Sequence, residues 1–307
     1  MRALTRVAPI AAVAVSVAVS SAVAFAPAAS GAVSAPAPAH DAVQPGWVLE
    51  ARNGPNVAVD RREVVSSDGT RVDVIRFHKG TVTYALHAGS EDPGAAANGL
   101  KGGPAVNATE RPKLLAAFNG GFKLSAGAGG YMQEGRVISA LRSGFASLAI
   151  GPKGNGSIVA WPSGAPAGVV SVRQNLSLLI AGGHLSPQID DPNGTVWGFT
   201  LSKSFTDARS ALGMDATGNL IYAASMHTNP RDLATALLRS GARTAMELDI
   251  NPQWMQLDYA HKKGGPLLAA VTGQVRPANQ FLYGFTRDFV TVLAAPLPPK
   301  KKPIRAV

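Results

Sequence analysis

The chain contains no cysteine, which excludes disulfides, thiolate metal sites, a cysteine nucleophile and a lipidated cysteine anchor. Charged residues are also scarce, at 16% of the 307 positions. By contrast, the 33 glycines and 22 prolines favour many short strands and turns over long helices. Hydrophobic residues make up 46% of the chain, which is ample for a packed core.

Several common catalytic motifs are missing as well. The sequence has no G-x-S-x-G elbow, so a Ser-His-Asp hydrolase has no candidate nucleophile. It has no H-E-x-x-H pair for zinc and no G-x-x-x-x-G-K-[ST] loop for a nucleotide. Other arrangements of polar residues therefore have to supply the chemistry.

The N-terminus has the pattern of an export signal. Two arginines precede an uncharged run rich in alanine and valine, and an Ala-Phe-Ala triplet is typical of a cleavage site. The alternative is a membrane anchor, but the run is shorter and less apolar than the ~20 residues of a comfortable span. We predict a signal peptide at residues 1–26 and an Ala/Pro-rich linker at 27–45. The protein is therefore expected to be secreted or held at the cell envelope.

The net charge of +10 owes much to the C-terminus. Residues 295–307 form a Pro-rich tail that carries Lys300, Lys301, Lys302 and Arg305. A nucleic-acid-binding protein would need a basic stripe with interleaved aromatic residues on the fold itself. The sequence has no such stripe, so no nucleic-acid partner is expected. We expect the tail either to contact an anionic envelope or to remain solvated.

The region between these ends is rich in predicted strands. Residues 46–294 are predicted to form one domain of the α+β class, β-rich, with mixed or antiparallel sheets flanked by a few helices. Arg71–Phe77 and Thr81–His87 are predicted to pair as a hairpin. Apolar runs bounded by glycine or proline predict the other strands: Lys113–Phe118, Arg136–Leu141, Phe145–Ile150, Ser157–Trp161, Leu176–Ile180, Val196–Leu201, Ala211–Met214, Leu220–Ser225, Trp254–Asp258, Leu267–Val271, Phe281–Phe285 and Phe289–Leu293.

A helix followed by an acidic strand stands out near residue 240. Asn229 as N-cap and Pro230 at the first helical position predict the start of the helix. Thr244–Trp254 reads as a strand that runs into a tight turn. Because side chains alternate along a strand, Glu247 and Asp249 are expected side by side on one face at its end. Two carboxylates could hold Ca²⁺, but that ion takes about six to eight oxygen ligands, so no cofactor is expected.

Three further features could contribute to a site, and each has a plainer interpretation. Asn119, Gly120 and Gly121 after a buried strand could bring backbone amides close to a ligand, or form an ordinary hairpin turn. Arg209 could clamp a phosphate with two hydrogen bonds, or be a solvated charge at a strand end. His227 could act as a general acid or base, or be a merely polar loop residue.

The order of these motifs resembles that of a known family. Ala117–Phe122 reads Ala-Phe-Asn-Gly-Gly-Phe, Arg209 comes ahead of a glycine-containing strand, and Glu247–Asp249 reads Glu-Leu-Asp. Over roughly Arg111 to Leu293 the chain resembles the phosphodiester glycosidase family, in which the corresponding turn, arginine and aspartate line the site. The resemblance implies site roles for Asn119, Gly120, Gly121, Arg209, Gly213 and Asp249.

The resemblance also implies a reaction, hydrolysis of the C1–O–P bond of a sugar-1-phosphodiester. Arg209, with Lys123 as a second cation, would hold the phosphate. Asp249, partnered by Glu247, would stabilise an oxocarbenium-like centre or activate water. Because neighbouring acids repel one another, the pKa values of the two carboxyls are expected to separate.

The remaining candidates would contact the sugar. Asn119 and Asn251 would bind hydroxyls, and His227 would assist proton transfer. The family's Gly-rich loop after the aspartate is replaced here by Ile250-Asn251-Pro252-Gln253, so side-chain amides take the place of a closely approaching backbone. A competing hypothesis follows from this change: a non-catalytic exported protein that binds an anionic glycan in the same cleft.

Overall fold

Antiparallel strands dominate the computed structural model, which describes residues 43–164 and 166–297. The β-rich α+β class predicted from the sequence is confirmed. The predicted signal peptide at 1–26, most of the linker at 27–45 and most of the tail at 295–307 lie outside the described residues. In the part of the chain that is described, no helix is long and apolar enough to cross a membrane.

Within these residues the chain forms eighteen strands and three α-helices. The strands are β1 (Val48–Asn53), β2 (Asn56–Val65), β3 (Arg71–Phe77), β4 (Val82–His87), β5 (Leu114–Asn119), β6 (Tyr131–Gln133), β7 (Arg136–Ser139), β8 (Ala146–Ile150), β9 (Gly156–Ala160), β10 (Ser171–Gln174), β11 (Leu178–Ala181), β12 (His184–Leu185), β13 (Asp207–Asp215), β14 (Leu220–Thr228), β15 (Ala242–Glu247), β16 (Leu257–Tyr259), β17 (Leu268–Ala269) and β18 (Phe289–Ala294). The helices are α1 (Gly194–Trp197), α2 (Pro230–Arg239) and α3 (Gln280–Tyr283). Short 3-10 turns cover Gly94–Ala97, Arg111–Lys113 and Leu124–Ala126.

The strands form three sheets. The largest has the order β1-β2-β3-β14-β13-β15-β11-β12, and the two five-stranded sheets have the orders β7-β6-β10-β8-β9 and β17-β16-β5-β18-β4. Every pairing between these strands is antiparallel, so the sheets are not mixed. In the sheet β17-β16-β5-β18-β4, most paired strands are far apart in the sequence. The register of this sheet therefore depends on contacts between residues that are distant along the chain.

The predicted hairpin of Arg71–Phe77 with Thr81–His87 is wrong. The first strand, β3, pairs with β2 and β14, whereas the second, β4, pairs with β18 in a different sheet. The turn between them carries the chain from one sheet to the other, with the amide of His78 bonded to the carbonyl of Ala58 at 3.0 Å. The alternation of apolar and polar residues along a strand identifies which side chains are buried, but it does not identify the neighbouring strand in the sheet.

Two predicted strands are short helices instead. Val196–Leu201 overlaps α1, whose start is capped by Asn193, since that side chain accepts a hydrogen bond from the amide of Thr195 at 3.0 Å. Phe281–Phe285 overlaps α3, which buries Phe281 among other aromatic rings. Short apolar runs fit a strand and a buried helical turn equally well, so the pattern alone does not separate them.

Helix α2 is formed as its sequence predicts and covers one face of the largest sheet. Asn229 caps it by accepting a hydrogen bond from the amide of Asp232 at 2.9 Å. Its buried Leu233 and Leu237 pack in the same hydrophobic cluster as Ala245 of β15. The alternate residues Met246 and Leu248 belong to the main core on the other face of the sheet. The end of β15 is thereby held between two packed layers.

Candidate active site

Several chain segments meet just beyond the end of β15. The amide of Leu248 donates to the carbonyl of Ser210 at 2.8 Å, and the amide of Ser210 donates to the carbonyl of Asp249 at 3.2 Å. The next contact leaves this sheet, because the amide of Asp249 donates to the carbonyl of Gly120 at 3.1 Å. The amide of Gly120 in turn donates to the carbonyl of Asp288 at 2.9 Å. Asp249 is therefore fixed at a junction between two sheets.

The Asp249 side chain is almost fully buried, with 5% of its surface exposed. Its Oδ1 accepts a hydrogen bond from the amide of Asn251 at 2.9 Å, and its Oδ2 lies 3.4 Å from Nη2 of Arg287. Burial raises the pKa of Asp249 to about 6, although the Arg287 charge acts in the opposite direction. The carboxyl is thus poised to exchange a proton close to neutral pH.

A cavity of about 540 Å³ opens in front of Asp249. This volume falls within the range typical of small-molecule sites. Three of the site residues predicted from sequence line it, namely Asp249, Asn251 and the exposed Lys123, and so does Arg287. Asp249 is the one carboxylate among the described residues that line this cavity.

Arg209 and Glu247 face each other away from the cavity. Nη1 of Arg209 donates to Oε1 of Glu247 at 2.7 Å and to the carbonyl of Trp197 at 3.0 Å, while Nη2 donates to the carbonyl of Phe205 at 3.1 Å. Both side chains are fully buried, and neither lines the cavity. Arg209 is thus engaged inside the protein rather than presented to a phosphate.

Burial, more than repulsion between the two acids, raises the pKa of each carboxyl. Burial raises the pKa of Glu247 to about 7 against the pull of Arg209, and the charge of Asp249 adds only a smaller increase. For Asp249, burial is again the first cause, and the acid that adds to it is Asp288. The predicted repulsion is present at Glu247 as a minor contribution, and burial is the larger cause at both carboxyls.

Asn119 is a structural residue in this arrangement. Its Nδ2 donates to the carbonyl of Gly120 at 2.9 Å and to Oγ of Ser210 at 3.1 Å. Its Oδ1 accepts from the hydroxyl of Tyr222 at 2.8 Å and from the amide of Gln256 at 3.1 Å. A side-chain amide has two donors and one oxygen, and all of them are engaged here. Asn119 thus connects the two sheets instead of facing a ligand.

The two glycines after Asn119 make room for a buried ion pair. A β-carbon on Gly120 would lie 1.8 Å from Oδ2 of Asp288, and one on Gly121 would lie 3.1 Å from Cζ of Arg173. Arg173 and Asp288 form two parallel hydrogen bonds, Nε to Oδ2 at 2.8 Å and Nη2 to Oδ1 at 3.0 Å. Neither glycine lines the cavity, and the segment does not form a hairpin.

Gly213 and His227 lie elsewhere. A β-carbon on Gly213 would be 2.9 Å from Cβ of Ala242 and 3.1 Å from Cδ2 of Leu237, so this glycine permits the close packing of α2 on the sheet. His227 is exposed and lines a separate cavity, beside Arg71. The structure therefore brings neither residue to Asp249.

Sequence reasoning missed four residues that build the site: Arg173, Asn175, Arg287 and Asp288. Asn175 accepts the amide of Phe122 at 3.2 Å and donates to the carbonyl of Glu247 at 2.9 Å, which joins the cavity wall to β15. Two features of the sequence could have indicated these residues: Arg287-Asp288 directly before an apolar strand, and the polar run Arg-Gln-Asn at 173–175. Neither signal indicates which side chains meet until the pairing of β5 with β18 is known.

No metal centre is apparent in the described residues. In residues 43–164 and 166–297, no three or more histidine, cysteine or acidic side chains are grouped so that they could hold a metal ion. Glu247 and Asp249, the pair considered for Ca²⁺, each have an arginine partner, at 2.7 Å and 3.4 Å respectively. Their charges are balanced by guanidinium groups.

Comparison with known proteins gives a structural relationship only. No protein-family model and no curated protein sequence matches the chain. The catalytic domain of zebrafish N-acetylglucosamine-1-phosphodiester alpha-N-acetylglucosaminidase, auto-inhibited by its pro-peptide, matches 81% of this chain over 87% of its own, at 15% identity and a TM-score of 0.50. A candidate exported protein from Burkholderia pseudomallei matches 80% of this chain over 76% of its own, at 13% identity and a TM-score of 0.41. The chain therefore has a fold distantly related to that of the zebrafish catalytic domain.

Proposed function

We propose that the chain is an exported hydrolase that cleaves the C1–O–P bond of a sugar-1-phosphodiester in an envelope or extracellular glycoconjugate. The observation that carries this proposal is the buried Asp249 carboxyl, which lines the cavity 3.4 Å from the Arg287 guanidinium. A carboxylate and a cation are the two groups that such a substrate requires, one at the sugar and one at the phosphate. The fold shared with the zebrafish enzyme adds support by analogy.

The proposed reaction needs only one carboxylate at the sugar. Water adds to C1, the C1–O bond breaks, and its electron pair leaves with the phosphate oxygen. Asp249 takes the proton from the water or stabilises the positive charge that develops at C1. The departing phosphate monoester has a second pKa of about 6, so it leaves as an anion without a proton from the protein. An ordinary glycoside would require a second acid to protonate the leaving oxygen.

Arg287 takes the role that the sequence assigned to Arg209. It lines the cavity, and its guanidinium lies between two carboxylates, with Nη2 3.4 Å from Oδ2 of Asp249 and Nε 3.7 Å from Oδ2 of Asp92. Lys123 supplies a second positive charge on the exposed side of the same cavity. Two cations near a phosphodiester stabilise the negative charge that grows on it as the bond breaks.

Asn251 is positioned for the sugar. Its side chain lines the cavity directly beside Asp249, and its Oδ1 already accepts the amide of Gln253 at 2.9 Å. The Nδ2 group is the part of this side chain that is available as a donor to a hydroxyl. We therefore retain Asn251 as a sugar-binding residue, while Asn119 supports the site from behind.

The competing function is binding without turnover. The observation that favours it is the removal of Glu247 from the cavity, because the Arg209 pair leaves Asp249 without an acidic partner there. A protein of this kind would hold an anionic glycan through Arg287 and Lys123. The basic tail would then help to keep the protein at an anionic surface.

The two functions are separated by measuring turnover and binding on the same preparation. Purified protein is incubated with UDP-N-acetylglucosamine and a panel of small sugar-1-phosphodiesters, and the released sugar and phosphate monoester are quantified. Affinity for the matching sugar-1-phosphates is measured by calorimetry. Release from at least one substrate supports the hydrolase. Binding without release from any substrate would favour the glycan-binding protein.

A further inference from the structure

We propose that the phosphodiester taken by this cavity carries a hydrocarbon chain on its second arm, so that the substrate is a lipid-linked sugar phosphate. The inference rests on the proposed function and names the class of its substrate. It is drawn from the apolar wall that the same cavity presents beside its charged residues.

Two large apolar side chains stand exposed on this wall. Phe199 has 77% and Leu201 has 69% of its surface exposed, and both line the cavity. Singly exposed apolar residues are common, but two of them at the mouth of a cavity with a charged floor form a continuous amphipathic site. Covering such side chains with a hydrocarbon chain removes apolar surface from water and favours binding.

Two glycines shape the wall so that aromatic rings lie against the backbone. A β-carbon on Gly194 would lie 2.3 Å from the ring of Phe199, and one on Gly198 would lie 2.4 Å from the ring of Phe122. Gly198 also has a left-handed backbone with φ of +81°, which most other residues adopt only with strain. The two glycines thus allow the rings of Phe199 and Phe122 to lie close to the backbone of this loop.

Leu176 on the same wall has an unfavourable backbone conformation. Its φ is +52°, in the left-handed region that disfavours a bulky side chain. Its amide donates to the carbonyl of Ala128 at 2.6 Å and its carbonyl accepts the amide of Ala146 at 2.9 Å, which hold this conformation in place. Glycine or asparagine would adopt it at lower cost, and the side chain of Leu176 adds apolar surface to the cavity wall.

The charged groups explain why the hydrocarbon belongs to a phosphodiester. Asp249, Arg287 and Lys123 line the cavity together with the apolar residues, so a purely apolar ligand would remove water from these charged groups without offering them a hydrogen-bond partner. A ligand with an anionic head and a hydrocarbon chain would contact both the charged and the apolar residues of the cavity. A sugar-1-phosphate esterified to an isoprenoid alcohol or a long-chain alkyl alcohol has this composition.

The experiment varies only the length of the hydrocarbon arm. Sugar-1-phosphate esters of methanol, butanol and octanol are compared as substrates below their micelle concentrations, and binding of methyl and octyl phosphate is measured by calorimetry. The variants are Phe199→Ser/Leu201→Ser and, as a control, Tyr283→Ser, which changes an aromatic residue that is 75% exposed and does not line the cavity.

We expect kcat/KM and the affinity for alkyl phosphates to rise by at least about tenfold from methyl to octyl. This dependence should be lost in the double variant and kept in Tyr283→Ser. Chain-length-dependent binding with no turnover of any ester would contradict the proposed hydrolase but support the hydrocarbon site. Equal binding of methyl and octyl phosphate would overturn the hydrocarbon site. Binding to phosphatidylcholine vesicles is measured alongside for the wild type and the double variant. If alkyl chain length has no effect but the double variant loses vesicle binding, Phe199 and Leu201 contact a membrane, and the hydrocarbon site is likewise overturned.

Discussion

Gly120 and Asp288 approach each other so closely that a single β-carbon on the glycine would lie 1.8 Å from the Oδ2 of the aspartate. The backbone bond from the Gly120 amide to the Asp288 carbonyl, at 2.9 Å, ties the same two residues together. This contact brings the Arg173–Asp288 pair beneath the turn that supports Asp249. The Asn-Gly-Gly sequence is thus explained by the packing of a buried ion pair.

Gly120→Ala is expected to destabilise the fold by about 3 kcal/mol or more, because the added carbon must displace a buried carboxylate from its guanidinium partner. Urea unfolding measures the loss. Gly103→Ala is the control, since a β-carbon there meets nothing within 4 Å and should change stability by less than about 0.5 kcal/mol. Weakened ligand binding with unchanged stability in Gly120→Ala would instead indicate that the glycine contacts the ligand.

Arg209→Met is expected to cost about 3–5 kcal/mol of unfolding free energy, because it leaves the buried Glu247 without its partner. The comparison is Arg231→Met, which breaks the exposed pair with Asp190 and should cost less than about 1 kcal/mol. Adding Glu247→Leu to Arg209→Met should recover part of the loss. A stable Arg209→Met protein that fails only to bind phosphate would return Arg209 to the ligand site.

The activity is expected to fall as the pH drops through about 6, where Asp249 gains a proton and no longer acts as a carboxylate. The Arg287 charge lowers the pKa of Asp249, so Arg287→Gln should raise that pKa and move the acid limb of the kcat/KM profile to higher pH. Lys153→Gln removes one positive charge outside the cavity and should leave the limb in place. An unmoved limb in Arg287→Gln would show that another group controls it.

His227→Ala is expected to leave kcat/KM within about threefold of the wild-type value, because His227 lines a different cavity from Asp249. The measurement is steady-state hydrolysis of the best substrate in the panel. A loss of about a hundredfold, the usual effect of removing a general acid or base, would restore His227 to the mechanism.

The sequence predicts those parts of the fold that depend on neighbours along the chain. Helix α2 begins where Asn229 and Pro230 indicate, because a cap and the first helical turn are local features. The alternation in β15 correctly separates Met246 from Ala245, since burial on two faces follows directly from strand geometry. Asp249 lies just beyond the end of β15 and lines the cavity.

The sequence does not predict features that depend on partners far apart in the chain. In the sequence, Arg209 could bind a phosphate. In the structure its guanidinium is hydrogen-bonded to Glu247, which lies 38 positions later in the chain. Arg287 forms an ion pair with Asp249 because the sheets bring the two residues together, and no pattern around residue 287 indicates that contact. Charged side chains of this kind can be assigned only after the strand order is known.

The catalytic role of Asp249 is tested by the single-turnover rate of sugar-1-phosphodiester hydrolysis by Asp249→Asn, with Asp190→Asn as the control at an exposed carboxylate. Circular dichroism and thermal unfolding confirm that both variants are folded. We expect the rate to be reduced by about a thousandfold in Asp249→Asn and to be unchanged in Asp190→Asn. A folded Asp249→Asn protein that hydrolyses the substrate at the wild-type rate would contradict the assignment of this site.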